Sequence, residues 1–129
     1  MKRKKVLIVE DNELNLKLFH DLLSLKNIEV ISTNDGELCY NMTLESRPDL
    51  ILMDIKLQLI SGYELIKQIK QNPEISNIPI IAVTAFATKR DETNLLNAGC
   101  SSYIAKPFDI DNFFEIIDSF LEVEKLETV

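Results

Sequence analysis

Apolar and polar positions along this chain fall into two alternating patterns. Val6–Val9, Ile28–Ile31, Leu50–Met53 and Ile78–Val83 are short, mostly apolar runs rich in β-branched residues or leucine, and Ser102–Ala105 is a weaker fifth. Between them lie longer stretches, at about 12–25, 36–46, 62–72, 88–98 and 109–122, whose amphipathic character predicts helices. A strand that is apolar at nearly every position is buried on both faces, and strands that alternate with helices pair in parallel. The pattern therefore predicts an α/β fold of five βα units, a doubly wound five-stranded parallel sheet with helices on both faces. No linker, repeat or low-complexity segment interrupts it. Residues 1–129 read as one domain, with a core over 4–122 and a tail, 123–129, that frays.

The first helical stretch is apolar over too wide an arc. At 100° per residue, Leu14, Leu16, Leu18, Phe19, Leu22 and Leu23, with Asn15 among them, spread over roughly 200°, whereas packing on a sheet needs about 100°. Either the helix is set deep in the domain, or its edges also dock a partner through Asn15, Leu16, Phe19 and His20. Asn15 lies one turn beyond Asp11. It reads equally well as a buried amide bonded to backbone and as a side chain facing the end of the first strand. His20, on the polar arc, has no companion in the sequence that would make it a phosphodonor.

The remaining polar residues of interest fall at the carboxyl ends of predicted strands: Glu10 and Asp11 after the first, Asp54 after the third, Thr84 after the fourth and Lys106 after the fifth. In an open parallel sheet, sites form outside these ends, where the strand order reverses. A lone threonine or Lys-Pro after a strand is usually a turn residue, but four such ends converging on one edge make a site. Three neighbouring carboxylates repel, by about 4 kcal/mol per pair at ~4 Å and an effective dielectric near 20. Lys106 offsets one charge, and the rest suits one hard divalent cation on oxygen ligands: Mg²⁺, with Mn²⁺ a substitute. A carboxylate beside a metal, a lysine and a hydroxyl fits phosphoryl transfer, with Asp54 as nucleophile, Lys106 pairing a phosphoryl oxygen and Thr84 donating a hydrogen bond. The bland alternative is a carboxylate–lysine network that serves structure alone.

Composition narrows the choice. The formal charge of −7 opposes binding to nucleic acid, despite Lys2, Arg3, Lys4, Lys5 and Lys17 near the start. The apolar run Val6–Val9 is too short for a signal peptide, and no stretch approaches a membrane span, which predicts a soluble, cytoplasmic protein with no membrane partner. Cys39 and Cys100 give no metal spacing and read as reduced thiols. None of the three glycines, Gly36, Gly62 and Gly99, lies in the first strand–helix turn, VEDNE, so that turn does not cradle a nucleotide phosphate.

These residues resemble a known family. VLIVEDN at 6–12, LILMD at 50–54, SGYE at 61–64, VTAFA at 83–87 and AGCSSYIAKPF at 98–108 match, in order and spacing, the receiver domains of two-component response regulators. The segments VLIVEDNELNLKLFHDLL and VTAFA are particularly similar to single-domain cell-cycle regulators of the DivK type. The resemblance implies a flavodoxin-like (CheY-like) sheet in the order 2-1-3-4-5. It makes Asp54 the phosphoacceptor, puts Glu10, Asp11, Asp54 and the backbone carbonyl of Lys56 on Mg²⁺, and brings Thr84 and Lys106 to the phosphoryl group. It makes Thr84 and Tyr103 the switch and the Lys106–Pro107 peptide cis. A stand-alone regulator of this kind is no enzyme. Its partners are a sensor histidine kinase or phosphotransferase and a downstream protein target, and it is a monomer or a weak, phosphorylation-dependent dimer. The sequence departs from the family at Gln58, where proline is usual. Lys56 and Phe86 are placed to flank the site. Two further readings share the fold: a receiver-like scaffold that no longer cycles phosphate, and a flavodoxin-like electron carrier, which lacks a phosphate loop.

Overall fold

The computed structural model describes residues 3–56, 61–85 and 88–121; Gln58, Phe86 and the tail 123–129 lie outside the described residues. The elements alternate throughout: β1 (Lys5–Val9), α1 (Glu13–Ser24), β2 (Glu29–Thr33), α2 (Gly36–Ser46), β3 (Leu50–Asp54), α3 (Gly62–Gln71), β4 (Ile80–Thr84), α4 (Lys89–Ala98), β5 (Ser102–Ala105) and α5 (Ile110–Leu121). All neighbouring strands pair in parallel, in the order β2-β1-β3-β4-β5. The order reverses between β1 and β3, which places the switch point between Val9 and Met53.

Period-two alternation along the strands sends side chains to two separate cores. Val6, Ile8, Leu50, Leu52, Ile81, Val83 and Ile104 pack with α1 and α5 on one face. Leu7, Val9, Ile51, Met53, Ile80 and Ala82 pack with α2, α3 and α4 on the other. Each helix begins near a strand's carboxyl end, and four of them begin at a polar cap. Asn12, Asp35, Ser61 and Thr88 accept hydrogen bonds from backbone N–H groups of the first turns of α1, α2, α3 and α4. Each such cap contributes about 1 kcal/mol and fixes where its helix starts.

Two strand boundaries differ from the sequence pattern by two residues, the others by one at most. β4 begins at Ile80 rather than Ile78, because the Ile78 N–H is committed to a turn with the Ile75 carbonyl (3.1 Å) and Pro79 has no N–H to donate. β2 runs past the apolar residues into Ser32 and Thr33, which stay in register with Ile8 and Val9. A backbone ladder is indifferent to side-chain polarity, and β2 is an edge strand that is only partly covered.

The wide apolar arc of α1 divides in two. Phe19, Leu22 and Leu23 are buried, and Leu16 packs against the same core. Leu14 and Leu18, one turn apart, stay 80% and 42% exposed. Phe19 is thereby corrected as a docking residue: its ring is 1% exposed and stacks on Phe108 at 5.4 Å and Phe113 at 5.7 Å, tying α1 to α5. The apolar residues that α1 leaves exposed are Leu14 and Leu18.

Candidate functional site

Register decides what meets at the carboxyl edge. Val9 pairs with Met53, Asp54 with Val83 and Thr84 with Ala105, so Glu10, Asp54, Thr84 and Lys106 end neighbouring strands at one level. Together with Asp11, Asn15 and Lys56 they line a cleft of about 540 Å³. The Lys106 N–H donates to the Thr84 carbonyl at 2.7 Å, and the Lys106–Pro107 peptide is cis. Gly62 lets the chain return close beneath the site. Its N–H donates to the Ile55 carbonyl at 3.1 Å, and a Cβ there would stand 2.7 Å from the Ile55 Cα.

The charges are held close and mostly out of water. Ligand oxygens of Glu10, Asp11 and Asp54 lie within 4.8 Å of one another. Asp54, 7% exposed, accepts from the Lys56 N–H at 3.0 Å on one oxygen and from the Lys106 ammonium at 3.2 Å on the other. Glu10, 1% exposed, accepts from the Asn12 N–H at 3.2 Å on Oε1. Its Oε2 has no hydrogen-bond partner among the described residues and lies 3.7 Å from Lys106 Nζ. Burial, followed by the neighbouring Asp54, pushes the Glu10 carboxyl up to about 7, and Lys106 and the Asn12 N–H only partly oppose this. A buried carboxylate oxygen without a donor, inside a cluster of three acidic groups, fits a divalent cation with oxygen ligands. Glu10, Asp11 and Asp54 would hold it.

Other residues singled out by sequence fall in and out of this cleft. Thr84 lines it and is 7% exposed, and Asn15 lines it half-buried. Tyr103 does not line it; half-buried on β5, it packs against the core beneath α3 and α4. His20 is exposed away from the cleft, with Nδ1 3.9 Å from Asp21. Cys39 and Cys100 are free and buried, and burial raises both thiols to about 11, leaving them protonated and apart from the site. Ser61, Tyr63 and Asp91 also line the cleft, which the sequence reading missed. Their signal was local. Ser61 caps α3, and Asp91 closes a capping box with Thr88 at the start of α4, so all three lie where helices leave the same edge.

A family model described as the response regulator receiver domain matches residues 6–118. The chain is 50% identical, over 92% of its length and 96% of the relative's, to the polar-differentiation response regulator DivK of Brucella anthropi. It also resembles the receiver domain of a sensor histidine kinase from Pseudomonas aeruginosa, solved with a magnesium ion coordinated in the active site cleft. That match has a TM-score of 0.85 and 31% identity, and covers 94% of this chain and 99% of that one. A third match is to a co-crystal structure from Saccharomyces cerevisiae of a histidine phosphotransfer signalling protein with the receiver domain of its downstream response regulator. Here the TM-score is 0.86 at 27% identity, over 98% of this chain and 94% of that one.

Proposed function

The chain belongs to the response regulator receiver family, and on that premise we propose that it is a stand-alone response regulator phosphorylated on Asp54. The phosphoryl group comes from a phosphohistidine of a sensor histidine kinase or phosphotransferase. The observation that carries this reading is the convergence of a carboxylate trio, two of them buried and one oxygen unsatisfied, with Lys106 and Thr84 at the end of the same sheet.

The chemistry follows from the positions. A carboxylate oxygen of Asp54 attacks phosphorus. The O–P bond forms as the P–N bond to the donor imidazole breaks, and the bonding pair leaves with the imidazole nitrogen, which is then protonated. The Lys56 N–H on Oδ1 fixes the direction of the attacking carboxylate. Lys106, already 3.2 Å from Oδ2, supplies positive charge where phosphoryl oxygens gain negative charge. Glu10, Asp11, Asp54 and the Lys56 carbonyl would hold Mg²⁺, which when bound would supply further neutralisation of phosphoryl charge. The Thr84 hydroxyl then bonds to a phosphoryl oxygen, Tyr103 follows it inward, and the face of α4, β5 and α5 changes for a downstream protein. The protein is a phosphoacceptor rather than an enzyme. Similarity to polar-differentiation regulators along nearly their full length supports a role in cell-cycle or polarity control.

Incubation with acetyl phosphate should add one phosphoryl group by intact mass only when Mg²⁺ is present, and peptide mapping should place it on Asp54. If neither acetyl phosphate nor a phosphorylated kinase gives the adduct, the scaffold reading takes its place.

We assign docking of the donor to the exposed edge of α1, because Leu14 and Leu18 are exposed apolar residues on the helix whose cap, Asn12, and first-turn residue Asn15 line the cleft. The double substitution Leu14→Glu and Leu18→Glu should slow transfer from the kinase at least about tenfold, the effect of losing ~1.4 kcal/mol of binding. Uptake from acetyl phosphate should not change. Unaltered kinase transfer would exclude this edge.

A further inference from the structure

We propose that Asn15 is a positioning residue for the metal: its side-chain carbonyl holds a water of the Mg²⁺ hydration shell. The proposal rests on the metal reading of the site given above. Within EDNELN, residues 10–15, two side-chain hydrogen bonds tie the turn together. The Asn12 side chain accepts from the Asn15 N–H at 3.0 Å, and the Asn12 N–H donates to Glu10 Oε1 at 3.2 Å. The Asn15 amide group itself makes no hydrogen bond among the described residues. It sits in the middle of an otherwise apolar arc.

Its place explains why an amide is there. Helical side chains lean toward the helix N-terminus, and the N-terminus of α1 is at the cleft. Asn15, in the first turn, lines that cleft with Asp11, Asp54 and Lys106. A half-buried amide with no protein partner must bond to water. Mg²⁺ bound through a few oxygens keeps several waters, and each needs an acceptor on its outer side. An asparagine oxygen provides one without adding a fourth carboxylate to a cluster already under repulsion.

The test is Mg²⁺ titration by calorimetry on wild type, Asn15→Leu and Asn15→Asp, beside urea unfolding of each in metal-free buffer. Asn15→Leu should unfold at the wild-type urea concentration or above, yet bind Mg²⁺ about tenfold more weakly. Asn15→Asp, which keeps the acceptor oxygen, should bind at least as tightly as wild type. Equal Mg²⁺ affinity in wild type and Asn15→Leu would overturn the assignment while leaving the metal site intact. Absence of Mg²⁺ binding by wild type would overturn both.

Discussion

Asp54→Asn should fold as the wild type does and accept no phosphoryl group from acetyl phosphate or from a phosphorylated kinase. The substitution preserves shape. An amide oxygen can still take the Lys56 N–H that Oδ1 accepts at 3.0 Å. The amide nitrogen replaces Oδ2 and loses the 3.2 Å contact with Lys106, but Lys106 keeps Glu10 Oε2 at 3.7 Å. Removing one of three mutually repelling carboxylates offsets the lost ion pair, and the net change in stability should be small. The chemical change is total, since a neutral amide is no nucleophile for phosphorus. Intact mass after incubation with donor and Mg²⁺ reads the outcome. An adduct on Asp54→Asn at more than about a hundredth of the wild-type level would mean that another residue accepts the phosphoryl group, because covalent chemistry has no partial substitute here.

Glu10→Gln should stabilise the metal-free protein at pH 8 and leave it almost unchanged at pH 4.5. In the folded chain the Glu10 carboxyl titrates at about 7, against 4.5 for an ordinary glutamate. Between those values the folded state binds more protons than the unfolded state, so stability falls as pH rises. The contribution is fully present below pH 4.5 and is lost as pH passes through 7. The difference corresponds to about 3 kcal/mol between the two limits, an upper figure for one buried carboxyl. Glutamine carries no proton equilibrium, so urea unfolding of Glu10→Gln should lack this slope while other carboxylates keep theirs. Mg²⁺ should reverse the order of stability at pH 8, because the cation binds only the wild-type carboxylate fully and stabilises the state that binds it. Parallel pH profiles for the two proteins in metal-free buffer would show that folding does not raise the Glu10 carboxyl.

Sequence made the site legible and left its electrostatics hidden. Glu10, Asp11, Asp54, Thr84 and Lys106 could be read because each ends an apolar run, and a parallel sheet gathers such ends whatever the details of packing. The order of strands came from resemblance, since periodicity gives neighbours on the chain but not in the sheet. Phe19 misled because arc width counts apolar residues without showing which edge lies under α5; the stack with Phe108 and Phe113 depends on residues about ninety positions away. Ser32 and Thr33 are invisible as strand because the ladder they join is made by backbone. The proton on Glu10 was beyond reach for a related reason: it depends on 1% exposure and on which oxygen finds a donor, and neither is a property of the local sequence.

The sheet divides the hydrophobic interior into two sets of side chains with no member in common. The set beneath α1 and α5 supports the edge of α1 proposed to meet a phosphodonor, whereas α2, α3, α4 and Tyr103 rest on the other, so the proposed output face of α4, β5 and α5 leans on both. Substitutions far apart and without shared contacts add independently. A lineage of such proteins can therefore accumulate changes on one face, and acquire a new upstream partner, without destabilising the other. The strand ends at the cleft are where both inheritances must agree, and there the freedom to drift should be least.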